Sequence, residues 1–124
     1  MLFASTIRPA SGTNIINTIR KGIKWGSLEV GEIIQLMPTE NAAQYAEGAE
    51  IPEVKYTQKG KIIKVSIRRF CDIDDSELVY NFDPNCRNWL GLSESMSKLY
   101  KDFNEVDIIT MVDMMIIEPL EGIE

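Results

Sequence analysis

The sequence contains no histidine. That absence excludes Ser-His-Asp and Cys-His catalysis, the paired-histidine zinc helix and histidine-ligated metals in general. Any chemistry has to come from carboxylate, lysine, threonine, tyrosine or cysteine. Cysteine is scarce too: Cys71 and Cys86 lie outside any C-x-x-C spacing and read as reduced thiols of a cytoplasmic protein. No apolar run exceeds five residues, far short of a membrane span. The opening stretch MLFASTIRPASGT lacks a basic region followed by an apolar block, so it reads poorly as a signal peptide.

What is present is a chain of 124 residues, 44% of them hydrophobic, expected to form a single domain over 1–124 with a real core. The net charge of −6 conceals an asymmetry. Residues 1–70 carry ten Lys+Arg against six Asp+Glu, whereas residues 71–124 carry three against thirteen. A uniformly acidic chain repels phosphates, but this distribution leaves room for one positive face.

Along the chain, LFASTI at 2–7 reads as a first strand ended by Pro9. Asn14 or Thr13 can cap one helical turn through Ile15 and Ile16, after which Asn17 to Arg20 is extended. Gly22 and Gly26 punctuate a loop, and Gly31 opens a strand over 32–37. Residues 38–60 form a long connection with room for a short helix at 41–47 and a short strand at 54–57. In KIIKVSIRRF (61–70), Ile63, Val65 and Ile67 alternate with Lys64, Ser66 and Arg68, which predicts a strand with a core face and a basic face. Asp74 and Glu77 form a capping box, a better account of the acidic run at 72–77 than a calcium loop, whose sixth position wants glycine. No metal site and no cofactor are expected. A helix capped by Ser93 follows over 92–101, with Leu92, Met96, Leu99 and Phe103 on one face. Val106–Ile117 is apolar on both parities and predicts a strand buried on both sides. Met96, Met111, Met114 and Met115 are assigned to the core, and Trp89 to a cover over it.

Several residues have the chemistry of a binding site. Arg20 offers a planar fork of donors suited to a phosphate or a base edge, and Thr18 a hydroxyl beside it. Asn17 has an amide for a base, though it equally suits a turn. Trp25, next to Lys24, can stack a base, a contact worth ~1–3 kcal/mol. Lys64 and Arg68 supply either a solvated strand face or phosphate steering.

The ordered set of these pieces resembles the ASCH domain. The matching residues are Ser11-Gly12, Thr18-Ile19-Arg20, Val30-Gly31-Glu32-Ile33-Ile34, Val65 to Phe70 with Asp74 to Glu77, then Tyr100 and the Val106–Ile117 strand. The resemblance implies an α+β fold: a small PUA-like mixed β-barrel of about five to six strands with two to three short helices. It implies a cleft that binds RNA, another nucleic acid or a nucleoside-like ligand, with Tyr100 near it. Members include RNA-associated modules, amidohydrolases acting on N4-acetylcytidine, and ribonucleases. In the amidohydrolase branch the active set is a lysine, a threonine three residues later and a distant glutamate. Thr18 matches the threonine, but the lysine position holds Ile15, and the glutamate position falls near Asp83–Asn85 without a clear match. Without an activator a threonine hydroxyl is a poor nucleophile. The expectation is therefore an RNA- or nucleotide-binding module using Asn17, Thr18, Arg20, Lys24, Trp25, Lys64, Arg68 and Tyr100. A nucleoside amidohydrolase or ribonuclease is the alternative, with Thr18 as its catalytic residue. A protein-interaction module meeting a basic partner is a third reading. A phage or other mobile-element origin suits so compact a domain by family habit.

Overall fold

The structure is a computed structural model, and it describes residues 1–3, 7–10, 12–38 and 58–118. Its strands are β1 (Leu2–Phe3), β2 (Ile15–Lys21), β3 (Ile33–Pro38), β4 (Gln58–Arg69) and β5 (Ile108–Glu118). One α-helix, α1 (Trp89–Leu99), joins short 3-10 turns at Lys24–Ser27, Phe70–Asp72, Asp75–Leu78 and Pro84–Cys86. Strands β3, β4, β5 and β2 pair antiparallel in that order as one curled α+β half-barrel, and β1 lies parallel against β3. Of the expected 2–7 strand, Leu2 and Phe3 are in β1, and 4–6 fall outside the described residues. The helix and strand expected at 41–47 and 54–57 also fall outside them.

The two sheet edges are tied by backbone bonds. At one edge the Met37 N–H donates to Met1 O at 2.8 Å. At the other, the Asn17 N–H donates to Tyr80 O and the Phe82 N–H to Asn17 O, so residues 80–82 run beside β2. The Arg8 N–H then donates to Phe82 O at 2.9 Å. Residues on both sides of 4–6 thus touch opposite edges of the curl.

Side-chain alternation along each strand sorts the sheet into an inner and an outer face. The inner core holds Phe3, Ile16, Leu36, Ile62, Val112 and Met114. The outer core lies between the sheet and the helical elements, with Ile19, Ile109 and Met111 against Phe70, Leu78, Leu92 and Met96. Each such side chain fully buried contributes ~1.5–3 kcal/mol. Central β5 serves both cores, which is why its sequence is apolar on both parities. Its far end is different: Met115 and Ile117 are exposed, so Met115 does not belong to the core as expected.

The alternation expected in β4 is corrected by a bulge. Register shifts between Ile62 and Lys64, so Ile62 faces Met114 inside and Ile63 becomes the extra, exposed residue. Beyond the bulge Val65 packs on the inner core, while Ile67 is exposed. Two local expectations shift as well. The turn expected at Ile15 and Ile16 is the start of β2 instead, because both residues pair with β5. Helix α1 starts at Trp89 rather than near Ser93, since Asn88 Oδ1 accepts the Gly91 N–H at 2.8 Å as its cap.

Candidate functional site

Three residues of β2 define the site. Ile16, Thr18 and Arg20 alternate on the inner face, so the apolar core gives way to a hydroxyl and then a cation toward the strand's end. Thr18 is buried, and its Oγ1 accepts from Arg20 Nε at 3.1 Å. The Arg20 guanidinium lies over the Phe3 ring, 4.7 Å from the centroid, and Phe3 in turn packs edge-on against Phe82. Among the described residues no carboxylate pairs with Arg20. Burial lowers its pKa to about 10, and Tyr100 acts in the opposite direction. Arg20, half-buried, is therefore a charged group at neutral pH that has lost part of its water and gains no carboxylate among the described residues.

Further cations share this end of the sheet. Thr110, the register partner of Arg20, donates its hydroxyl to Gly22 O at 2.7 Å and fixes the loop that follows β2. Gly22 sits at φ 84°, a conformation that favours glycine. The loop leads into the 3-10 turn Lys24–Ser27, which rests on β4: a Cβ on Gly26 would lie 2.6 Å from Ile67 Cδ1. Trp25 packs on the inner core, and Lys24 Nζ lies 5.2 Å from its ring centroid. The Met1 α-amino group donates to Gln35 O at 2.8 Å. Its pKa falls to about 6 through burial, then through the charges of Arg20 and Lys24. The Met1 amino group thus feels both Arg20 and Lys24, and burial with these charges favours its neutral form at neutral pH.

The other expected site residues lie elsewhere. Asn17 is on the outer face, 0% exposed, where its Nδ2 donates to Asp113 Oδ1 at 2.7 Å and its Oδ1 accepts from Asn81 Nδ2 at 3.4 Å. Asn81 Oδ1 also accepts the Asp83 N–H at 3.0 Å, so this network ties β2, β5 and the 80–83 segment together. Arg68 clasps Glu77 with both Nη atoms, and its buried Nε has no hydrogen-bond partner among the described residues. Glu77 Oε1 also accepts the Asp74 N–H at 3.2 Å, so the expected capping box is present and holds Arg68 as well. Lys64 is exposed and lies opposite Asp113 in the register. Tyr100 ends α1, packs on the outer core and lies within the electrostatic reach of Arg20. The structure therefore brings Thr18 and Arg20 into contact, with Tyr100 within the electrostatic reach of Arg20, and Lys24 over Trp25. Asn17, Lys64 and Arg68 are on the other face of the sheet.

Two members of the site were not among the expected residues: Phe3, under the guanidinium, and the Met1 amino group. A two-residue strand leaves no periodicity from which to read them. The arrangement suits capture of an anion, since fixed donors in a desolvated setting act more strongly than in water. Activation of Thr18 has less support. Among the described residues Arg20 is its only side-chain partner, and a guanidinium takes no proton from a hydroxyl. Ile15 lies on the opposite parity of β2 from Thr18. No helix of the described residues is long and apolar enough to cross a membrane. Compared with known proteins, the chain matches no family model, no curated relative and no solved structure.

Proposed function

We propose that this protein is a recognition module for RNA or a nucleoside phosphate, working in the cytoplasm and taking its ligand at the Thr18–Arg20 end of the half-barrel. One observation carries the reading: Arg20 is desolvated on Phe3 with no acidic partner among the described residues. Keeping such a charge unpaired costs stability, and an anion arriving from outside would offset that cost. Lys24 steers the phosphate, and Trp25 offers the base an aromatic surface beside it. On this reading the complete fold is a PUA-like barrel of the ASCH kind. The amidohydrolase and ribonuclease alternatives require an activator for Thr18 and are secondary.

Amide NMR titrations with short single-stranded RNA, cytidine monophosphate and N4-acetylcytidine test the proposal. Shifts are expected at residues 18–26 with the two phosphate-bearing ligands, weakening as salt rises. Arg20→Ala and Trp25→Ala should each weaken RNA binding. Unchanged binding in both variants would remove the site assignment, and acetate released from N4-acetylcytidine would move the answer to an enzyme.

A further inference from the structure

The outer face of the sheet has a second feature, independent of Arg20. Ile33 of β3 is the register partner of Lys61 in β4, and Lys61 is the register partner of Met115 in β5. Cross-strand neighbours of this kind have Cβ atoms ~4.5–5.5 Å apart, so the three make one continuous row. The bulge turns Ile63 outward beside that row, and Ile117 lies two residues further along β5. Their exposures are high for large aliphatic side chains: 55% for Ile33, 38% for Ile63, 37% for Met115 and 42% for Ile117. Single exposed aliphatic residues are ordinary on protein surfaces, but a contiguous strip marks a contact site. Lys61 stands in the middle of the strip, and exposed Lys64 stands at its border. Among the described residues neither lysine forms an ion pair.

We propose that this strip docks a protein segment that is acidic and bears aliphatic side chains. Charge complementarity sets the sign of the partner through Lys61, which stands in the middle of the strip and pairs with no carboxylate among the described residues. Lys64, at the border, is already opposed by acidic groups, since it lies opposite Asp113 in the register and within the field of Glu77. The aliphatic rim sets the rest, since it can bury leucine or isoleucine, and among the described residues the strip has no aromatic ring on which a nucleic-acid base would stack. A second copy docking face to face fits poorly. A two-fold axis through the strip would bring Lys61 toward its own symmetry mate, and like charges facing one another destabilise an interface.

The test uses the full chain, labelled for amide NMR, and three probes. These are a short peptide alternating glutamate with leucine and isoleucine, an all-glutamate peptide of equal length, and oligo-uridine RNA. The mixed peptide should shift residues 33, 61, 63, 115 and 117 and bind at least about tenfold more tightly than the other two. Lys61→Glu and Ile63→Asp, both at exposed positions, should each weaken the mixed peptide by about tenfold. Leu90→Asp, at an exposed aliphatic position on α1 away from the strip, should leave it unchanged. Equal binding of the all-glutamate peptide would reduce the strip to a charge effect and overturn the proposal. So would stronger shifts of the strip by RNA, or no shift with the mixed peptide at millimolar concentration. A dimer in sedimentation that Lys61→Glu dissolves would replace the proposed partner by a second copy.

Discussion

Arg20 stacks its guanidinium on Phe3 at 4.7 Å while its Nε donates to Thr18, and neither contact supplies a counter-charge. A cation over an aromatic face gains ~0.5–1 kcal/mol at exposed sites, which offsets only part of the loss of hydration. The two contacts therefore compensate only part of what the guanidinium loses on burial.

From this follows an opposed effect on stability and on binding. Arg20→Met keeps a similar stem over Phe3 and removes the buried charge, and should raise unfolding free energy by about 0.5–2 kcal/mol. The same variant should lose RNA binding. Inorganic phosphate should raise the melting temperature of the wild-type protein by mass action and leave the variant unmoved. Chemical denaturation and a phosphate series in thermal melts read both effects. A variant less stable than wild type would make Arg20 a structural residue instead.

Asn17 should behave in the reverse manner. Its amide bridges Asp113 and Asn81 with no exposure to solvent, so Asn17→Ala leaves a carboxylate oxygen unpaired and should cost about 2–3 kcal/mol. A double-mutant cycle with Asp113→Ala should give a coupling of about 1–2 kcal/mol, as expected of two residues in direct contact. RNA binding per folded molecule should stay the same. Intact stability combined with weakened binding would return Asn17 to the ligand site.

The contrast between these two residues shows what could be read from the chain and what could not. Strands β4 and β5 were legible because apolar and polar residues alternate, or because the run is apolar throughout, whereas of β2 only Asn17 to Arg20 read as extended. The capping box at Asp74 and Glu77 was legible because it is a local pattern. Thr18 and Arg20 share an inner face because they are two apart, which sequence spacing alone supplies. Asn17 lies an odd step along the strand, and the same rule sends it to the outer face, apart from Thr18 and Arg20. The bulge at Ile62–Lys64 was hidden, because an extra residue in β4 shows only against its partner β5. For the same reason Arg68 read as a free basic group: its partner Glu77 comes from the following turn, and nothing in the alternation of β4 announces it.

The Arg68–Glu77 pair gives a pH dependence of defined sign. The Arg68 hydrogen bonds, followed by the Asp74 N–H, hold the Glu77 pKa below its ordinary value of 4.5. Arg68 is pushed the other way, above its ordinary value, by the same hydrogen bonds to Glu77. A carboxylate with a depressed folded pKa contributes stability that is complete above its unfolded value and is lost as pH falls through the folded one. Unfolding free energy should therefore be flat from neutrality to about pH 5 and then decline, and the Glu77→Gln variant should decline less steeply. Urea melts across this range check it. Parallel curves for the two proteins would show that the pair adds nothing to the acid response.

Gly91 provides a test of how α1 sits on the fold. An interior helical glycine replaced by alanine ordinarily gains ~0.5–1 kcal/mol, because the unfolded chain loses freedom. Here a Cβ would lie 1.9 Å from Asn85 O and 3.2 Å from Asn85 C, both in the backbone of the Pro84–Cys86 turn. Backbone cannot swing aside as a side chain does, so the turn or the first turn of the helix must move. The cap would move with it, since the Gly91 N–H donates to Asn88 Oδ1. Gly91→Ala should therefore destabilise by about 1–3 kcal/mol, the usual range for overpacking. Asn88→Ala, which removes only the cap, should cost about 0.5–2 kcal/mol. Denaturation midpoints of the two variants separate the effects. If Gly91→Ala matches or exceeds the wild type, the helix stands further from the turn than described, and the outer core around Leu92 and Met96 is looser than its burial implies.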